Sequence, residues 1–276
     1  MSKLQLQRTQ RATNSVPRAP LLALIVFAFV RCAFAEAQSP EHFLRYEIIA
    51  THPHDARAFT QGLAVFNGEL FESRGQFGRS AVTINAIETG AARRRREVEA
   101  KYFAEGLAIA GHRVLQLTWQ SGVAFIYDTQ LNPRGILRYD GEGWGLAFDG
   151  THWLMSDGSD HITLRRRDDF KVAGEISVRD GGRPVQALNE LEYAQDRLYA
   201  NVWHSDRVAV IDPASGAVES WIDFAQLRQG FVRPPEWDGN EHVLNGIAFN
   251  AANGHFYVTG KCWPVLYEIR LLPPGP

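Results

Sequence analysis

The chain has 276 residues, 45% of them hydrophobic and 22% charged, with a formal net charge of −2. That is the composition of an ordinary globular protein, long enough for one large domain. Near-neutrality gives no electrostatic case for a nucleic-acid partner or an anionic membrane surface.

The first residues read as a processing signal and stay outside the fold. Arg8, Arg11 and Arg18 precede the apolar run 21–30, and Ala33-Phe34-Ala35 supplies a small-x-small cleavage site ending at Ala35. The run is too short to span a bilayer, which takes about 20 apolar residues. No adjacent arginine pair in this segment marks a twin-arginine signal. Cys32 would suit a lipid anchor, but Arg31 directly before it fits such a site poorly. Residues 1–35 are therefore expected to be a Sec-type signal peptide. The mature domain, 36–276, is then periplasmic or secreted and free of the membrane. Cleavage leaves Cys262 as the single cysteine, without an internal disulfide partner; no histidine at a repeat position faces it as a base, so it reads as a bystander.

Residues 44–50 alternate as a strand, and His52, His54 and Asp55 follow in a His-Pro-His-Asp sequence that reads as a solvated turn rather than a metal site. Four repeats of four short strands come next. The first is 62–66, 69–74, 80–85 and 94–100; the second is 105–110, 113–118, 124–128 and 135–139. The third is 144–148, 151–156, 162–167 and 171–178; the fourth is 189–194, 197–202, 207–212 and 217–223. The arginine runs 93–96 and 165–167 fall in or beside outer strands and read as solvated charges that discourage edge pairing. Residues 224–243, with Pro234-Pro235, lack alternation and read as a loop over one end of a channel, with a helical turn at 225–228. The fifth repeat offers only 245–250, 255–260 and 265–270. Strand 44–50 is expected to pair with it as the fourth strand, closing a ring and removing an open edge.

A short phrase opens each repeat: Gln61-Gly62-Leu63, Glu105-Gly106-Leu107, Trp144-Gly145-Leu146, Asn189-Glu190-Leu191 and Asn245-Gly246-Ile247. A second apolar stretch ends at Gly75, Trp119, Gly158, Trp203 and Lys261, an offset of 14 residues in four copies and 16 in the fifth. Repeats 39 to 56 residues apart with several β segments each are the signature of propeller blades. The fold is thus predicted to be all-β, a five-bladed β-propeller with four strands per blade. Equivalent positions face one another across such a ring, which gathers Glu105, Lys261, Gln61, Asn189, Asn245, Trp119, Trp144 and Trp203. A carboxylate among indoles has its pKa raised by desolvation and can exchange a proton near neutral pH. An ammonium and carboxamide N–H groups can stabilise an oxyanion, and indoles can wall an apolar or cationic group. Together these suit acyl transfer at an amide without a metal or a covalent nucleophile.

The ordered motifs Phe59-Thr60-Gln61-Gly62-Leu63, Phe103-Ala104-Glu105-Gly106-Leu107, Leu117-Thr118-Trp119, Gly143-Trp144-Gly145-Leu146, Leu188-Asn189-Glu190-Leu191-Glu192, Ala200-Asn201-Val202-Trp203, Leu244-Asn245-Gly246-Ile247 and Thr259-Gly260-Lys261 resemble those of the plant-type glutaminyl cyclases, a family also found in bacteria. The resemblance runs over essentially the whole mature chain. It implies a propeller that converts N-terminal glutaminyl residues of peptides or proteins to pyroglutamate with loss of ammonia, without a cofactor. It implies Glu105 as general acid/base, Asn189 and Lys261 as groups that orient and polarise the reacting carboxamide, and Gln61 as a substrate ligand. Phe59, Phe103, Trp119, Trp144 and Trp203 would line the pocket, with Asn245 as a further substrate-binding residue. Ala104 departs from the bulkier apolar residue expected there, which would loosen the pocket wall. The protein is expected to act as a monomer.

Two other readings compete. Glu105, Asn189 and Asn245 could ligate calcium in a lactonase-like hydrolase, although Lys261 would repel a cation and neither ring carries an aspartate. A non-catalytic binding propeller would use the indoles and leave Glu105 and Lys261 idle.

Overall fold

Side chains of successive strand residues point to opposite faces of a sheet, so a strand with apolar groups on both faces needs a partner on each side. Leu70 and Phe71 illustrate the consequence. Leu70 packs with Ala248, Tyr257 and Leu266, whereas Phe71 packs with Leu107, Val114 and Tyr127. Repeating this arrangement places one sheet between two others until the series closes on itself.

The computed structural model describes residues 42–272; the predicted signal segment lies outside the described residues. Strand β1 (Arg45–Pro53) precedes five blades. Blade 1 is β2 (Thr60–Phe66), β3 (Glu69–Arg74), β4 (Ala81–Ala86) and β5 (Ala92–Glu97). Blade 2 is β6 (Ala104–Ala110), β7 (Arg113–Thr118), β8 (Val123–Asp128) and β9 (Pro133–Arg138). Blade 3 is β10 (Leu146–Phe148), β11 (His152–Ser156), β12 (His161–Arg166) and β13 (Val172–Ser177). A hairpin that the alternation did not predict, β14 (Arg179–Asp180) and β15 (Arg183–Pro184), leads to blade 4: β16 (Leu188–Ala194), β17 (Arg197–Val202), β18 (Arg207–Ile211) and β19 (Val218–Asp223). Helix α1 (Ala225–Gln229) follows, where one helical turn is predicted. Blade 5 is β20 (Leu244–Asn250), β21 (His255–Gly260) and β22 (Val265–Leu272).

The fourth strand of blade 5 is β1, paired antiparallel with β22 from Arg45↔Leu272 to Pro53↔Val265. The predicted closure is therefore the observed one. First strands adjoin around the axis: β2 with β6, β6 with β10, β10 with β16, β16 with β20, and β20 with β2. Among the described residues, five apolar clusters fill the five blade interfaces. Also among the described residues, no helix is long and apolar enough to cross a membrane.

The opening phrase of each repeat has a structural meaning. In blades 1, 2, 4 and 5 the ladder between first and second strands shifts register at this phrase, between Thr60 and Gly62, Ala104 and Leu107, Leu188 and Leu191, and Leu244 and Ile247. These are β-bulges, which re-aim a side chain out of the ladder. Gln61, Glu105, Asn189 and Asn245 each sit at the shift. Blade 4 carries Glu190 where the other copies carry glycine, and its carboxylate accepts the N–H groups of Leu63 (3.2 Å) and Ile247 (2.8 Å) from blades 1 and 5. Glu190 thereby ties three blades together; burial raises its pKa to about 8, against these two hydrogen bonds.

Two sequence readings need correction. His54 is no solvated turn residue: its side chain is 3% exposed, with Nδ1 2.7 Å from the Trp263 carbonyl and Nε2 3.1 Å from Glu72. Of the arginine runs, residues 93–95 are exposed, but Arg165 is buried, with its guanidinium over the Tyr139 and Phe170 rings and its Nη1 donating to the Phe170 carbonyl. An arginine stacked on aromatic faces keeps partial compensation for the water it loses.

Candidate active site

A cavity of about 430 Å³ opens where the bulges converge. Its lining includes nine of the ten sequence-predicted residues: Glu105, Asn189, Lys261, Gln61, Phe59, Phe103, Trp119, Trp144 and Trp203. The tenth, Asn245, stands one layer behind. It is fully buried, and its Nδ2 donates to the Thr60 carbonyl (3.0 Å) and to Gln61 Oε1 (3.1 Å). With Gln61 Oε1 committed as an acceptor, its Nε2 must point the other way, and it donates to Glu105 Oε1 at 2.9 Å. Asn245 thus orients Gln61, and Gln61 orients Glu105.

Glu105 is 5% exposed and Lys261 is 4% exposed. Burial pushes the Glu105 carboxyl well above the usual carboxylate range; Lys261 and the Gln61 hydrogen bond oppose that, while Glu142 adds to it. Burial pushes the Lys261 ammonium down, with Glu105 the largest opposing influence. The two shifts move the acid and the base toward one another, each driven by burial and opposed by the other's charge. Asn189 is 3% exposed, and its Oδ1 is buried without a protein partner, which leaves that oxygen free to accept from a ligand.

The aromatic wall is one connected arc. Lys261 Nζ lies 4.9 Å over the Phe59 ring. Phe59 meets Phe103 edge-on at 6.1 Å, Phe103 meets Trp119 at 5.9 Å, and Trp144 meets Trp203 at 5.5 Å. Glu142 joins the two halves by accepting both indole N–H groups, from Trp119 at 2.7 Å and Trp144 at 2.9 Å. Sequence reasoning missed this residue because it occupies no repeat position; its only signal is the glycine on either side, just ahead of Trp144. Two glycines of the second ring make room for the wall. A Cβ on Gly75 would lie 2.4 Å from Phe103, and one on Gly158, where φ is +86°, would lie 2.7 Å from Trp144. Ala104, expected to loosen the wall, is fully buried in its strand and outside the cavity lining.

The loop after α1 contributes Asp238, Glu241 and His242 to the lining, as its predicted place over one end of the channel requires. Trp263, itself fully buried, pins this loop by donating Nε1–H to the His242 carbonyl at 3.1 Å and by packing against Phe231. Lys261 N donates to the Val243 carbonyl at 2.9 Å, so the same turn sets both the loop and the ammonium. Cys262 between them is an inert neighbour: burial pushes its thiol up to about 11.

Comparison with known proteins agrees with this fold. The sequence model of the glutamine cyclotransferase family matches residues 21–271. A glutaminyl-peptide cyclotransferase of Arabidopsis thaliana is 40% identical over 230 residues, covering 82% of this chain and 71% of that protein. The crystal structure of Myxococcus xanthus glutaminyl cyclase superposes with a TM-score of 0.77 at 38% identity, covering 84% of this chain and 98% of that one.

Proposed function

The chain belongs to the glutamine cyclotransferase family, and from that premise we propose that it is a glutaminyl-peptide cyclotransferase in which Glu105 shuttles the proton. Its substrates are peptides or proteins with an N-terminal glutamine, which it turns into pyroglutamate and ammonia. The observation that carries the role of Glu105 is its burial in a cavity shared with Lys261 and Asn189, held by a single directed hydrogen bond from Gln61.

The neutral α-amine, whose ordinary pKa is about 8, attacks the γ-carboxamide carbon of its own residue. A carbon–nitrogen bond forms, and the carbonyl electron pair moves to oxygen. Lys261 and Asn189 stabilise that oxyanion as pre-positioned donors on largely buried side chains. Glu105 takes the proton released by the attacking nitrogen and delivers it to the carboxamide nitrogen. The carbonyl re-forms, the carbon–nitrogen bond to the leaving group breaks, and ammonia departs. Ring closure within one residue already has a high effective molarity, so the protein chiefly holds the folded rotamer and moves one proton. The aromatic arc supplies the walls for that rotamer.

No step of this scheme calls on a metal. The basic, apolar and small-residue order of residues 8–35 supports export and a mature chain beginning at Glu36, periplasmic or secreted. The direct test is ammonia release from a Gln-initiated dipeptide before and after exhaustive chelation. Turnover that survives the chelator is the expected result, whereas metal-restorable loss would replace this scheme with a metal-assisted one.

A further inference from the structure

The floor of the cavity is closed by Gln61, Glu105 and the buried Asn245. Gln76, however, lines this cavity and two more; the pit shares His242 with one of them, and that one shares Arg57 and Arg79 with the other. The shared residues make the three spaces successive stretches of one groove, running from the pit outward over blade 1. Resting on the cyclase reading, we propose that this groove holds the peptide chain that follows the reacting glutamine, and that Arg79 within it favours substrates with an acidic residue shortly after that glutamine.

Only the first residue of a substrate takes part in ring closure, so the rest of its chain must leave the pit along some path. The turn between β3 and β4 is shaped to guide it. Gln76 adopts φ +90°, an uncommon conformation for a non-glycine residue. Its carbonyl is fixed by Ser80 Oγ at 2.8 Å and by Arg79 N at 3.1 Å. On the same turn, Phe77 is 57% exposed and meets Phe103 of the pit wall at 5.4 Å. An exposed ring continuous with the pit wall is a ready platform for the second substrate residue.

Charge then distinguishes Arg79 from its neighbours. Arg57 pairs with Asp55 at 3.1 Å, Arg74 with Glu72 and Asp55 at 2.9 Å, and Arg95 with Glu97 at 2.6 Å. Arg79 is exposed and its guanidinium has no hydrogen-bonded partner or ion pair among the described residues. It is therefore the arginine of this groove left for a ligand carboxylate. Glu236 also lines the groove, and Asp238 and Glu241 line the pit it leads from, which is why the test needs a cationic peptide beside the anionic one.

The experiment measures kcat/KM for Gln-Ala amide, Gln-Ala-Glu-Ala amide and Gln-Ala-Lys-Ala amide by ammonia release. The expected wild-type preference for the glutamate over the lysine peptide is about fivefold, the scale of one exposed ion pair. Arg79→Glu should invert that ratio, and Phe77→Ala should lower all three peptides, which share their second residue, while leaving the ratio unchanged. Arg134→Glu, on the outer strand of blade 2, should leave the ratio as in the wild type. An identical glutamate-to-lysine ratio in the wild type and Arg79→Glu overturns the inference while leaving the cyclase reading intact. Failure of the wild type to turn over even the dipeptide would remove that reading and this one with it.

Discussion

Glu142 holds two indoles with one carboxylate, and its charge also reaches Glu105. Glu105 is faced by Lys261, Glu142 and the Gln61 amide, and Tyr139 feels its charge from the neighbouring strand end. If Glu105 must be ionised to accept the proton, kcat/KM falls as pH drops through its raised pKa. Removing the Glu142 charge lowers that pKa, so the acid limb of the pH profile moves to lower pH. Glu142→Gln and Glu142→Ala should move the limb alike, but only the alanine loses both indole acceptors. Its KM should rise roughly tenfold, the ~1.4 kcal/mol scale of one lost hydrogen bond to a charged group. A limb that stays put in both variants contradicts the coupling. The contrast with Glu105 is instructive: Glu105 was readable from sequence because a repeat offset singles it out, whereas Glu142 answers to the two tryptophans it bridges. Asn245 occupies a repeat position too, yet its bonds to Thr60 and Gln61 draw it behind the cavity, which spacing alone does not reveal.

At the scale of elements, the closing strand is fastened by a buried charge cluster. Glu72 accepts from Thr60 Oγ1 at 2.7 Å, Arg74 Nε at 3.0 Å and Asn85 Nδ2 at 3.1 Å, with His54 Nε2 at 3.1 Å. Both His54 nitrogens face acceptors, Glu72 and the Trp263 carbonyl, so the ring is protonated. Burial pushes the His54 pKa down, but the Glu72 charge and hydrogen bond outweigh it and leave it raised. Burial pushes Glu72 up, and His54 and Arg74 more than reverse that, holding it far below its ordinary value. The histidine contribution to stability is full below its ordinary pKa of 6.5 and is lost as pH rises through the raised value. The glutamate contribution is present above 4.5 and is lost as pH falls through the depressed value. Glu72→Ala should cost about 3–5 kcal/mol, because it strands buried cations. His54→Gln should lessen the alkaline loss of Tm, and thermal unfolding across pH checks both; an unchanged alkaline slope in His54→Gln would contradict the clasp. Strand placement followed from alternation within three residues at each boundary. The clasp did not, because His54 and Trp263 are 209 positions apart, and β14–β15 escaped because two-residue strands carry no period.

Across the described residues, five modules close into a ring, and bulges on the first strands of four of them carry polar groups to one cavity or directly behind it. The repeat made both features readable, and the strand missing from the last copy foretold the closure through β1. What stayed hidden is the support behind the wall: Glu142, the glycine clearances and the Trp263 pin all depend on contacts between blades. The central claim is that this convergence makes Glu105 the proton shuttle. The most direct test is kcat of Glu105→Gln on a Gln-initiated dipeptide, measured beside its Tm. A fall of roughly 10²–10⁴-fold with wild-type Tm is predicted; turnover close to wild type in the folded variant would contradict the account.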